Sequence, residues 1–289
     1  MHDLISVVFA AGFFASGPVQ TAMVIGGGAA IVSAIIGVFT IIRGQSFAGH
    51  ALADVSSAGG AASFLLGVNP MFGFLGMAVL AAGALELVGI RRARERDLVT
   101  GIVLGAGLGL TALLLYFDVT LGSTTGAAIS VMFGSMFAIP AAIIPAALVV
   151  GAGVMLGVMA IYRPLLLSSL DAGLAEVQGI NVRLIGLLHL LMLSLAVTLS
   201  AMTIGAILST ALLIGPAAAA LRLTRRPGLA IGVAGLIGLG SVWGGILLSY
   251  DSYDWTPGHG WPVSFFIVSL IFAIYLLTAV PGWLARRAG

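Results

Sequence analysis

The sequence contains no cysteine and no lysine, and few charges of either sign. Without cysteine there is neither a disulfide nor a thiolate metal site. Without lysine the Gly-Lys-Ser/Thr of a phosphate-binding loop cannot be built. If ATP drives this chain, a separate subunit must hydrolyse it. Charged residues make up 8% of the 289 positions and hydrophobic residues 60%, whereas soluble domains carry about 25% charged residues. Such a chain cannot cover a water-facing surface. All twelve basic residues are arginines, and the pI near 9.4 that they produce is not a nucleic-acid footprint, because they sit where apolar runs end and fix orientation there. There is no His-Glu-x-x-His and no Gly-x-Ser-x-Gly motif, so neither of those enzyme chemistries is available.

What is present is a succession of apolar stretches of about 17–25 residues, broken by Gly, Pro or Arg, which read as membrane helices rather than barrel strands. The composition predicts an all-α integral membrane protein, a polytopic bundle of about eight or nine transmembrane helices. It forms a single domain over residues 1–289. Residues 1–19 lack the positive start of a signal peptide and read as a short interfacial or partly inserted helix. Spans are expected over 20–42, 45–67 and 71–90, then 98–117 and 141–162. Gly101, Gly105 and Gly109 recur at every fourth position of the fourth, a spacing that lets a neighbouring helix approach closely. Residues 118–139 read as a short or re-entrant outer segment, tolerated only where protein or water covers it.

The stretch 184–222 is too long for one span and predicts two helices joined near Thr203–Gly205. A further span over 228–248, an outer loop over 249–262 and a last span ending near Trp283 complete the chain. Arg43, the cluster Arg91–Asp97, Arg163, Arg183, Arg222–Arg226 and Arg286–Arg287 then fall on one side, the cytoplasm.

Against this background one stretch stands out. His50 and Asp54 lie four residues apart inside the second span, hence on one face of a helix. Measured from Arg43 they are about 10 and 16 Å deep, near the middle of a core about 30 Å thick. Ionisable groups there are costly and mark function by default, and an imidazole with a carboxylate suits Zn2+, Mn2+ or Fe2+. The blander reading is that the two hydrogen-bond each other or a neighbouring helix. His189, near the cytoplasmic end of its span, is a further candidate inner ligand. Glu86 lies close enough to the inner interface to pair with Arg91. Asp251, Asp254 and His259 in the outer loop are candidates for meeting a metal-delivery protein. Between Arg163 and Arg183, residues 165–183 are the most polar piece of the middle, with Ser169 and Asp171 able to cap a short helix and Gly179 able to end it.

Several of these stretches resemble the membrane permease subunit of the ATP-binding-cassette transporters for zinc, manganese and iron. The likeness runs through Arg43–Asp54 with Gly59-Gly60 and Leu66-Gly67. It continues through Asp97, Gly101-Ile102 and Phe133-Gly134-Ser135, then Tyr162–Leu165, Asp171, Leu174-Ala175 and Gly179–Val182. His189–Met192, Gly205–Leu208 and Ala211–Ala218 complete it, so the likeness follows nearly the whole chain in order. Members of that family often place Asp first and His four residues later, and here the order is exchanged.

The resemblance implies an ATP-driven importer of a divalent metal, zinc favoured, with no permanently bound cofactor. It implies a cytoplasmic ATPase partner, an extracytoplasmic metal-binding protein, and a second copy of the chain that would make the site two His and two Asp. It places the ATPase contact on residues 165–183, with Asp171, Leu174, Ala175, Glu176 and Gly179 as the coupling residues. The competing reading is a secondary transporter or channel for divalent metals, coupled to protons through His50 and Asp54.

Overall fold

A computed structural model describes residues 12–88, 93–122, 126–134, 136–255 and 260–287. Every regular element among them is helical. Nine helices have 18 or more residues: α1 (Gly17–Ile42), α2 (Ser46–Leu66), α3 (Pro70–Val88), α4 (Ala93–Phe117), α6 (Ile144–Leu170), α8 (Val182–Ile204), α9 (Ala206–Leu223), α10 (Pro227–Trp255) and α11 (Val263–Arg287). Two short helices, α5 (Ala127–Phe133) and α7 (Ala172–Val177), lie between them. Six of the nine are long and apolar enough to cross a membrane, and α3 and α11 each contain a shorter apolar run. The ninth, α2, carries the polar residues that lower its apolarity.

α1 runs through the centre against α6, α8, α9 and α10. Its small residues permit this, because a Cβ on Gly37 would run into the Leu213 carbonyl of α9. α2 is enclosed by α3, α4, α8 and α9. Against α3 the contact is backbone to backbone, with Gly59 and Gly73 each occupying the space a side chain would need. Against α4 it is Gly107 that allows the approach, a Cβ there coming within 3.0 Å of the Val55 backbone. The predicted repeat does not do this. Gly105 and Gly109 face open space, and Gly101 meets only the Phe47 ring.

Several boundaries differ from the sequence reading. The first helix begins at Gly17 after a 3-10 turn at Phe13–Ala15; the rest of the predicted N-terminal helix lies outside the described residues. α6 does not stop at Arg163-Pro164 but runs through Pro164 to Leu170. Proline is tolerated in membrane helices where neighbouring groups satisfy the freed backbone. α10 likewise continues to Trp255, so Tyr250, Asp251 and Tyr253 are helical rather than in a loop.

The expected break between α8 and α9 falls at Gly205, which has φ +90° and lies buried inside the bundle. It is covered by the segment after α4, whose Gly134, with φ +77°, approaches the backbone of Thr203 to Gly205. At the turn Gly205 N donates to Ala201 O and Ser209 N to Gly205 O. The helix ends that carry Arg43, Glu86, Ser168 and Arg183 gather at one end of the bundle. By the positive-inside rule this is the cytoplasmic end.

Candidate metal site

α2 starts at Ser46 after the turn Arg43–Gln45, in which Gly44 has φ +63°. Counted from Ser46, His50 is about 6 Å and Asp54 about 12 Å into a helix about 31 Å long. Asp54 therefore sits near the middle, and His50 sits in the inner part. The depth read from Arg43 assumed helix throughout, whereas Gly44 and Gln45 belong to a turn and the helix starts at Ser46.

Asp54 is 1% exposed. Its backbone carbonyl accepts from Ser57 Oγ at 2.6 Å and from Thr111 Oγ1 of α4 at 3.3 Å, and the two hydroxyls lie 2.9 Å apart. These bonds fix the helix around Asp54, while its Oδ2 has no hydrogen-bond partner. His50 Nδ1 is 2.8 Å from Thr210 Oγ1 of α9. With Nδ1–H donating to that hydroxyl, the Nε2 lone pair is turned toward Asp54, whose Oδ2 is 3.5 Å away. A hydrogen bond between them would want 2.7–3.2 Å. Two neighbouring vertices of a tetrahedral site with bonds of about 2.0–2.1 Å are about 3.3 Å apart. The separation is longer than a hydrogen bond and close to that of two ligands of one ion. The His50 side chain is 36% exposed against 2% for Asp54, so the pair is approached past the imidazole.

The described residues of one chain bring no third His, Asp or Glu to this pair. His189 is not a partner of it. It is fully buried on α8 with neither ring nitrogen hydrogen-bonded, and the Arg43 guanidinium lies within its electrostatic reach, which opposes a divalent cation there. Arg43 Nη1 itself reaches Ser168 and Ser169 of α6, at 3.2 and 3.3 Å. Glu86 pairs with Arg183 at 3.4 Å; Arg91, its expected partner, lies outside the described residues. Asp251 is 9% exposed and is not presented to a delivery protein. The side chain of Asp254, and His259, lie outside the described residues.

The piece expected to couple comprises the end of α6, the short helix α7, the turn after it and the start of α8. Asp171 Oδ1 accepts from Leu174 N at 2.9 Å and caps α7. Ser169 does not cap it, since it is within α6 and donates to Leu165 O. Gly179, with φ +79°, ends α7. Gly179 N bonds Glu176 O and Ile180 N bonds Ala175 O, the paired bonds of a Schellman end. Leu174, Glu176, Val177 and Gln178 face outward. Ala175 does not, being 0% exposed, so it anchors α7 to the bundle and offers nothing to a partner. Val177, 85% exposed, joins Leu174 in the outward apolar surface that Ala175 does not provide. A cleft of about 390 Å3 lined by Glu86, Asn181, Arg183 and Leu187 opens at the same end.

Thr210 was missed in the sequence, where it is one hydroxyl in an apolar run. Its only signal there is that a polar group inside a membrane helix must find a partner.

A family model described as the ABC 3 transport family matches residues 17–279. The manganese transport system membrane protein MntC of Listeria innocua is 30% identical over 281 residues, which is 97% of this chain and 98% of that one. The high-affinity zinc uptake system membrane protein ZnuB of Haemophilus influenzae is 28% identical, covering 77% of this chain and 85% of that one. Among solved structures, PsaBC from Streptococcus pneumoniae in complex with Fab aligns with a TM-score of 0.78 and 26% identity over 92% of each chain.

Proposed function

The chain belongs to the ABC 3 transport family, and on that premise we propose that it carries Mn2+ or Zn2+ inward through a site formed by His50 and Asp54. It is a multi-pass membrane permease subunit. ATP hydrolysis belongs to a separate subunit, in keeping with a sequence that has no lysine for a phosphate-binding loop.

The observation that carries the site is the pair itself. Nε2 of an imidazole oriented by Thr210 stands 3.5 Å from a buried carboxylate oxygen with no hydrogen-bond partner. The carboxylate supplies charge to an ion that leaves water, and the neutral imidazole supplies a second strong ligand. Two protein ligands hold an ion weakly, which suits a transit site that must also release it. A second copy of the chain, presenting the same pair, would complete a four-ligand site, and an extracytoplasmic binding protein would deliver the ion. On the cytoplasmic side, the outward residues Leu174, Glu176, Val177 and Gln178 of α7 and its C-terminal end form the contact for the ATPase. The rigid caps at Asp171 and Gly179 support this reading, since a handle transmits force only if it is firmly attached.

The test is uptake of radiolabelled Mn2+ and Zn2+ into vesicles holding the chain, its cognate ATPase and its binding protein. ATP-dependent uptake by the wild type that is lost in His50→Ala and Asp54→Ala, with assembly intact, is the expected result. Normal uptake by both variants would remove the site, and uptake without the ATPase would favour the secondary transporter.

A further inference from the structure

Asp118 is a second buried carboxylate that the site above does not use. It opens a π-helical turn, Asp118–Gly122, that continues α4 at the end opposite the arginines. It is 1% exposed, and its Oδ2 makes no hydrogen bond. A carboxylate so placed is expensive unless something neutralises it. The chain has no lysine, and among the described residues nothing hydrogen-bonds Asp118 Oδ2, while Arg43 and Arg183 gather at the other end of the bundle. A cation from outside is the natural counter-charge.

Its position on α4 gives that cation somewhere to go. Residues 107, 111, 115 and 118 follow one another along one face of a helix. Gly107 lies against the Val55 backbone, and Thr111 bonds Ser57 and the Asp54 carbonyl. Leu115 is buried in an apolar cluster with Ala61, Phe74, Ala127 and Val131. Asp118 comes next on this face, and its turn packs on α2. It stands about 10 Å outward of Thr111 along α4, and hence outward of the level of Asp54. The apolar cluster lies between the two carboxylates.

Resting on the permease reading above, we infer that Asp118 is an outer waypoint for the transported divalent cation, held by this carboxylate outside the apolar cluster before the ion passes to His50 and Asp54. One carboxylate with water as co-ligand binds weakly and briefly, as a waypoint must.

The full complex of chain, ATPase and binding protein in right-side-out vesicles tests this in two ways. In the first, Asp118→Asn raises the half-saturating concentration for Mn2+ uptake about tenfold, the scale on which loss of a ligating or orienting group acts, while the maximal rate is retained and Asp118→Glu restores the wild-type value. An unchanged half-saturation in Asp118→Asn overturns the inference. In the second, the absence of cysteine makes Asp118→Cys the single thiol of the chain. During ATP-driven turnover it reacts with a membrane-impermeant maleimide added outside, and Zn2+ protects it. A thiol inert to the reagent with and without Zn2+ overturns the inference even if the Asn variant fails to assemble. If the wild type moves no metal with ATP, the permease reading falls and takes this inference with it. If the wild type transports and Asp118→Asn matches it, only this inference falls.

Discussion

The helices Gly17–Ile42 and Ser46–Leu66 are joined by the turn Arg43–Gln45 and enclosed in the same bundle, yet their sequences differ in kind. The first is built of Gly, Ala, Ile and Val, and its chief polar link to a neighbour is Ser33 Oγ to Ser200 Oγ of α8 at 2.7 Å. The second carries Ser46, His50, Asp54, Ser56, Ser57 and Ser63 and is not among the six helices apolar enough to cross a membrane on composition alone. The difference teaches that apolarity marks which helices meet lipid or fill the core, whereas the buried helix that departs from it is the one proposed above to line the path. Within α2 the serines satisfy themselves locally, Ser56 donating to Ala53 O at 2.8 Å and Ser57 to Asp54 O at 2.6 Å. What remains without a hydrogen bond is Asp54 Oδ2.

Mutation of the two helices should widen this contrast. The largest effect is expected at Asp54→Ala, with a fall in ATP-dependent Mn2+ or Zn2+ uptake of about 100-fold, the upper end of what metal-site substitutions cost. The thermal stability of the purified chain should not fall, because an uncompensated buried charge has been removed. Thr210→Val keeps the volume but frees the imidazole, and should weaken metal-dependent uptake about tenfold, as loss of a group that orients a ligand does. Val177→Arg leaves the site untouched and should raise the ATPase concentration needed for half-maximal assembly several-fold, read by co-purification at graded ATPase. Ser33→Ala in α1 should cost about 0.6 kcal/mol of stability and leave uptake unchanged within error.

The sequence made the helical architecture legible because lipid leaves few alternatives: runs of apolar residues ended by arginine or glycine locate the spans. The break at Gly205 was legible for the same reason, since 184–222 exceeds one bilayer. His50 and Asp54 were legible as a pair because their spacing is local. Thr210, 160 residues from His50, was not, because a hydroxyl in an apolar run carries no label for its partner. The depth of the pair was misjudged because Gly44, at φ +63°, turns the chain before α2 begins. Ala175 entered as a coupling residue through the resemblance alone, and a six-residue helix is too short for its periodicity to show that this residue faces inward. The packing role given to Gly105 belongs to Gly107, since every fourth residue of α4 defines a stripe and only the neighbouring helix decides which stripe is used.

The central claim is that His50 and Asp54 bind the ion together. X-ray absorption at the metal edge, on the complex loaded with Zn2+ or Mn2+ in nanodiscs, tests it most directly. The account predicts imidazole scattering in the metal's nearest shell that disappears in His50→Gln and persists in His189→Gln. Imidazole scattering that survives His50→Gln, or that disappears only with His189→Gln, would contradict it.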